Sequence, residues 1–151
     1  MNRKMKWAVL LSVPFALFAS SVLFAQAIQK PIYAGYKGVM VGTTMDEART
    51  KLGTPKDKSD SEDYYVYSDA ESVQVLYAPD KTVRVLSINY IGKSAPSPKD
   101  IFGADVEAKA DGSINKLVRY PKSRFWISYL KTGGDDPMTV VTVQKMQDGE
   151  Q

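Results

Sequence analysis

The stretch VQVLYAPDKTVRVLSINYI, residues 73–91, holds the pattern that decides the fold. Its two runs, 73–77 and 82–91, are rich in the β-branched and aromatic residues that favour strands, and a Pro-Asp-Lys link between them favours a tight turn. The apolar residues of the second run change their alternation phase between Val85 and Leu86, which predicts a β-bulge near Val85. The stretch therefore predicts an antiparallel pair of strands.

Further elements are predicted on both sides of this pair. Thr44 is a suitable N-cap for a short helix, Glu47 would complete a capping box, and Gly53 followed by Pro55 would end the helix. Strands are expected at 64–67, 116–120, 124–131 and 138–146, and a single helical turn at 97–100. The predicted class is α+β, an antiparallel sheet of about six strands with one short helix packed on it. The alternatives are one continuous sheet and a degenerate tandem αβββ repeat.

The first 27 residues have the pattern of an export signal. Three basic residues precede an uncharged stretch at 7–29, and Ala25-Gln26-Ala27 is the small-x-small pattern that precedes a cleavage site. The uncharged stretch is also long enough to cross a bilayer, so an uncleaved anchor is the alternative. In both cases residues 28–151 are expected to form one exported domain, in the periplasm, anchored to the membrane or secreted.

The composition excludes several kinds of chemistry. The chain of 151 residues contains no Cys, which excludes disulfides, thiolate metal sites and a Cys nucleophile. It contains no His, the commonest general base and neutral metal ligand. The export signal carries the entire net charge of +3, so no basic footprint for nucleic acid is expected. We predict no metal and no cofactor.

Two weak motifs leave an enzyme as a minor alternative. Ser113-Ile114-Asn115-Lys116 matches the S-x-x-K pattern of Ser–Lys hydrolases, but that pattern needs a helix and a strand is expected here. Asp135 and Asp136 could act as paired carboxylates, although their Gly-rich link is typical of a solvated turn. We therefore expect no catalytic residues.

An acidic loop could also be read as a calcium site. Its four acids are Asp57, Asp60, Glu62 and Asp63. A calcium-binding loop of the EF-hand type needs Gly at its sixth position and Glu at its twelfth, and this loop has neither when counted from Asp57. We therefore expect a solvated acidic loop, not a calcium site.

A basic and aromatic segment in the C-terminal half is the predicted binding site. Between Lys116 and Lys131 there are five basic residues and no acidic one. The candidate patch consists of Arg119, Tyr120, Lys122, Arg124 and Trp126. A hairpin would bring Arg119 near Arg124, and Trp126 would share the face of Arg124. Such a patch suits another envelope protein, an anionic lipid headgroup or a cell-wall polymer. The alternative is a charged sheet edge that prevents aggregation.

The N-terminal half resembles a known family. VMVGTTMDEARTKLGTPKD at 39–57, followed by YYVYSD and VQVLYAPDKTVRVLSINY, is similar to the SmpA/OmlA (BamE-like) envelope family. The structural motif of the resemblance, within about 35–91, consists of Gly42, Thr44, Glu47, Leu52, Gly53 and Pro55, and Val39, Val41, Tyr65 and Tyr67 also match the family pattern. The resemblance implies a non-catalytic module for binding or cell-envelope assembly, peripheral to the membrane or soluble. A more distant similarity to β-lactamase inhibitory proteins implies, as the alternative, a secreted inhibitor of an enzyme.

Overall fold

The computed structural model describes residues 30–150, so the expected export signal at 1–27 lies outside the described residues. In chain order the elements are β1 Gly35–Tyr36, β2 Val39–Met40, α1 Met45–Leu52, β3 Asp57–Lys58, β4 Glu62–Ser68, β5 Glu71–Tyr77, β6 Val83–Ile91, α2 Pro98–Phe102, β7 Ile114–Tyr120, β8 Phe125–Lys131 and β9 Met138–Lys145. Strands β1 and β2 form a hairpin of their own. The other seven form one antiparallel sheet in the order β3-β4-β5-β6-β9-β8-β7.

The predicted fold class is wrong in the size of the sheet. The main sheet has seven strands instead of about six, and a separate two-stranded hairpin precedes it. The helical turn expected at 97–100 forms as α2, which contributes Ile101 and Phe102 to the core. The missed strands β1, β2 and β3 have two residues each, too few for an alternation to be visible. The seven strands form one continuous sheet.

Two three-stranded meanders meet in the middle of the sheet. The first is β4-β5-β6 and the second is β7-β8-β9, and their last strands pair with each other. In that pairing Leu86 lies opposite Val143, and Ile88 lies opposite Val141. The predicted bulge is confirmed, because Leu76 pairs with Val85 while the next residue, Tyr77, pairs with Val83.

The predicted boundaries of α1 are confirmed. The Thr44 hydroxyl accepts a hydrogen bond from the Glu47 backbone N–H at 3.3 Å, and Gly53 ends the helix with a φ of 87°. The capping box is only half formed, because the Glu47 carboxylate pairs with Lys51 at 2.7 Å. A complete box forms in α2 instead, between Ser97 and Asp100.

The core lies on one side of the sheet, which we call the covered face. Strand residues such as Val75, Leu86 and Ile127 point to it and are fully buried. Ala48 of α1, Ile101 of α2 and Val39 of the hairpin are fully buried in the same cluster, so both helices and the hairpin cover this face. Neither helix in residues 30–150 has the length and apolar character needed to cross a bilayer. Burial on one side leaves the second side of the sheet for other contacts.

Candidate functional site

The second side of the sheet, which we call the open face, carries the alternate residues of every strand. Its middle row runs from β7 to β4 through Leu117, Ser128, Thr142, Ser87, Gln74 and Tyr64. No member of this row is charged, and the hydroxyls of Ser87 and Thr142 lie 3.1 Å apart. The middle of the open face is therefore a neutral strip that can be desolvated without burying an ion.

Exposed apolar side chains are concentrated on the open face. Residues 30–150 have seven large apolar side chains that are exposed, and five of them lie here: Val66, Ile91, Leu117, Leu130 and Met138. Each keeps between 42% and 48% of its surface exposed. Met138 is directly opposite Ile91, and Leu130 neighbours Val140 across β8 and β9. Apolar side chains grouped in this way mark interaction surfaces more often than isolated ones do.

Charges on this face stand at the two ends of a neighbouring row. That row contains Arg119, Trp126, Gln144, Val85, Leu76 and Glu62. Arg119 on β7 lies directly opposite Trp126 on β8, and Glu62 at the β4 end accepts a hydrogen bond from Gln74 at 2.7 Å. The open face thus has a neutral interior with one cation beside a tryptophan at its β7 edge.

The structure brings together only part of the predicted patch. Arg119 and Trp126 are neighbours on the open face, but Tyr120 is buried on the covered face with its ring 5.3 Å from that of Phe125. Lys122 lies in a helical turn at the tip of the β7–β8 hairpin. Arg124 ends that turn with a left-handed φ of 58° and pairs with Asp148 at 2.8 Å.

A helical turn explains why strand alternation does not place Arg124 on the same face as Trp126, as the sequence predicted. Strand alternation holds only while the backbone is extended, and Arg124 precedes β8 in a left-handed conformation. Arg119 is the basic residue that strand pairing places directly opposite Trp126. The binding role of the patch stays a prediction, and its geometric centre moves to Arg119 and Trp126.

The S-x-x-K motif does not lie on a helix. Lys116 lies within β7 and Ser113 directly precedes that strand, whereas the pattern needs both residues on a helix. Asp135 and Asp136 are exposed in the link between β8 and β9. Within the described part of the chain, no group of three or more acidic side chains is placed to hold a metal ion.

A buried ion pair that the sequence did not reveal joins α1 to the sheet. Asp63, fully buried at the start of β4, accepts two hydrogen bonds from the Arg49 guanidinium, each of 2.8 Å. The Tyr77 hydroxyl donates to the same carboxylate at 2.7 Å, and Tyr65 donates at 3.3 Å. This residue, assigned to the acidic loop from the sequence, is therefore already saturated by protein donors and is not available to a cation.

The protonation of this cluster follows from its contacts. Burial opposes the charge on Asp63, but the hydrogen bonds from Arg49 and Tyr77 outweigh it and hold the pKa of Asp63 below its ordinary value. Burial, together with the nearby Asp63 charge, raises the pKa of Tyr65 to about 12. Asp63 is thus an anion and Tyr65 a neutral donor at physiological pH, which suits a permanent structural clasp.

A second polar cluster holds the β1–β2 hairpin on the sheet. The Tyr36 hydroxyl donates a hydrogen bond to the Glu71 carboxylate, and the Lys37 ammonium lies 3.4 Å from the ring centroid of Tyr67. Burial, together with the nearby charge of Glu71, raises the pKa of Tyr90 to about 12. These groups contact one another, so they serve the packing of the hairpin and not an exposed site.

Comparisons of the chain with protein-family models, with curated proteins and with solved structures found no match in any of the three. The resemblance to the SmpA/OmlA family therefore stays a prediction from the sequence motifs.

Proposed function

We propose that this protein is a non-catalytic, exported binding module that docks another protein on the open face of its sheet. The single observation that carries the proposal is the contrast between the two faces. Helices and a hairpin cover one face, while the other presents five exposed apolar side chains around a neutral strip. Removing water from such a surface costs little free energy, and burying its apolar side chains against a partner favours binding.

A protein partner fits the surface better than the other ligands expected from the sequence. An anionic membrane needs several clustered cations, and Arg119 is the only cation in the rows described above. A sugar polymer needs several aromatic platforms, and those rows offer Trp126 and, at the far side of the sheet, Tyr64. A partner with an apolar patch and an acidic group near Arg119 would complement both features.

Resemblance to the envelope family agrees with this proposal. It implies assembly or binding without catalysis, and the export signal expected at 1–27 would deliver the domain to the same compartment. The strand at 114–120, where the S-x-x-K pattern needs a helix, and the exposure of Asp135 and Asp136 both weigh against the hydrolase alternative. The proposal therefore names docking, and no reaction, as the task of the folded domain.

Site-specific photo-crosslinking in intact cells tests the proposal. A photoreactive amino acid at Leu130 or Val66, on the two halves of the open face, should capture one and the same partner protein. The same amino acid at Lys99 in α2 or at Thr54 after α1 is a matched exposed control and should not capture it. Capture of that partner from the control positions but not from the open face would overturn the proposal.

Identification of the captured partner separates the two binding functions considered from the sequence. A membrane-assembly protein that remains active in the complex supports the envelope module. A soluble enzyme whose activity falls on binding would instead support the inhibitor, with the same surface in use.

A further inference from the structure

Strand β7 forms one edge of the sheet and is unusually long for an exposed edge. It has seven residues and pairs with β8 on one side, and no other strand within residues 30–150 pairs with it. The opposite edge is formed by β3, which has two residues. Proteins commonly limit edge pairing by keeping edge strands short. The edge strand β3 is therefore short, while β7 offers a full seven-residue edge.

The pairing pattern shows which backbone groups of β7 point outward. At the ends of the β8–β9 ladder the Met146 N–H donates to the Arg124 carbonyl, and the Thr132 N–H donates to the Met138 carbonyl. The even residues of β8 therefore bond to β9, and its odd residues bond to β7. Their β7 partners are the even residues, since Ile127 pairs with Val118 and Tyr129 with Lys116.

The backbone N–H and C=O groups of the odd residues Asn115, Leu117 and Arg119 consequently point away from the sheet. The side chains of these three residues lie on the open face, in the same rows as Ser128, Trp126 and Leu130. A strand added at this edge would therefore extend the proposed docking surface without a break.

Strand β7 itself carries charge of one sign, from Lys116 and Arg119. Residues 112–134 contain five basic side chains and no acidic one. Lys116 and Arg119, both exposed, lie on opposite faces of β7, so a strand added here would have a cation above it and a cation below it. Such an edge repels basic strands and attracts acidic ones.

A second copy of this chain is a poor match for the edge. Two β7 strands paired about a two-fold axis would bring together two copies of Lys116 and two of Arg119, with no acid in either strand. Four cations gathered in one ribbon without an acid repel one another, most strongly where they stand directly opposite. The complementary occupant is an acidic extended segment of a different protein.

We infer that β7 accepts an extended, acidic segment of the partner protein as an additional strand of the sheet. This rests on the proposed function, because it identifies the chemistry of the partner that docks on the open face. In antiparallel addition the residues of the segment that face Arg119 and Lys116 are acidic, and the residue that faces Leu117 is apolar. From its N-terminus, the segment therefore has an acidic residue, then any residue, then an apolar residue and then a second acidic residue.

A synthetic peptide tests the inference on the purified protein. The probe has seven residues, with glutamate at its second and fifth positions, valine at its fourth and threonine elsewhere. At millimolar peptide, amide hydrogen exchange of Asn115, Leu117 and Arg119 should slow at least fivefold, because their N–H groups become donors in the new ladder. The matched peptide with lysine in place of both glutamates should leave these rates unchanged.

Substitution of Leu117 separates strand addition from side-chain contact. Leu117→Pro removes an outward N–H and leaves the bonds to β8 intact, as edge strands tolerate, and it should abolish peptide binding. Leu117→Ala keeps the N–H and should bind within about threefold of the wild type. If Leu117→Pro does not fold, the pair Lys116→Glu and Arg119→Glu should reverse the preference from the acidic to the basic peptide.

Three results would overturn the inference: unchanged exchange at the outward N–H groups, equal binding of both peptides, or slowed exchange that depends on protein concentration without peptide. The last result would indicate pairing between two copies. Crosslinking from Leu130 distinguishes this failure from failure of the proposed function. If Leu117→Pro still captures the partner there as the wild type does, docking on the open face stands and strand addition does not.

Discussion

The Arg49 guanidinium donates two hydrogen bonds of 2.8 Å to the Asp63 carboxylate, so a buried ion pair joins α1, the longer of the two α-helices in residues 30–150, to the first meander. The helix has eight residues, and a helix of that length is marginal by itself. The clasp and the apolar face formed by Met45, Ala48 and Leu52 together hold it in place.

Replacing Asp63 with Asn should destabilise the protein by about 3 kcal/mol, near the lower end for a broken buried ion pair. The lower end applies because the Arg49 side chain is 18% exposed and water can solvate part of its charge. Chemical unfolding measures the change. Asp60→Asn is the control, because the Asp60 side chain is almost fully exposed and 3.8 Å from Lys81, and it should leave the free energy of unfolding unchanged. Equal stability of the two variants would contradict the clasp.

Stability should decline in acid partly because of Asp63. Its pKa in the folded protein lies below its ordinary value of about 3.9, so ionised Asp63 stabilises the fold above that value. The contribution is lost as the pH falls through the lowered pKa of the folded state. Melting temperatures measured from pH 6 to pH 2 should therefore fall less steeply for Asp63→Asn than for the wild type. Parallel curves for the two proteins would show that Asp63 is not the group responsible.

Gly53→Ala should cost about 1–3 kcal/mol through backbone strain alone. Gly53 has a φ of 87°, and an added Cβ would meet no atom within 4 Å, so the cost cannot be a clash. Thr54→Ala, at the next position, is the exposed control and should be neutral. Thermal and chemical unfolding both report the difference. If Gly53→Ala is as stable as the control, the positive φ is not required at the end of α1.

Charge-reversal substitutions should show that the two arginines of the predicted patch contribute differently to binding. Arg119→Glu should weaken binding of the crosslinked partner at least tenfold, with a loss that shrinks at high salt, because Arg119 stands beside Trp126 on the open face. Arg124→Glu should change the affinity much less, because Arg124 lies in the turn and pairs with Asp148. Calorimetric titration at two salt concentrations gives both values. Equal losses in the two variants would return the patch to its predicted form, with Arg124 as a member.

Local signals in the sequence were sufficient for most of the regular elements. Thr44 and Gly53 marked the ends of α1, and the change of phase between Val85 and Leu86 marked the bulge. The two-residue strands were not visible because two residues are too few to show an alternation, and only their backbone pairing defines them as strands. β3, for instance, consists of Asp57 and Lys58, both exposed, and only its pairing with β4 makes it a strand.

The same limit explains which site residues could be predicted. Alternation in 125–129 correctly left Trp126 on the face opposite Phe125, because both lie in one extended run. The sequence did not place Arg119 opposite Trp126, because that pairing depends on the register set by the turn at 121–124. It did not place Arg49 against Asp63 either, because that contact depends on how α1 packs on the sheet. A helical turn at 121–123 broke the alternation at Arg124, and its short sequence does not distinguish it from a hairpin turn.

The affinity of the crosslinked partner for a protein carrying Ser128→Glu tests the central claim most directly. Ser128 lies in the middle row of the open face, between Leu117 and Thr142, so docking there would bury the new charge without a partner. We expect the dissociation constant to be at least tenfold larger than that of the wild type and the melting temperature to be unchanged. Thr54→Glu, which adds the same charge beyond α1, should bind as the wild type does. Wild-type affinity in Ser128→Glu would show that the partner does not dock on the open face.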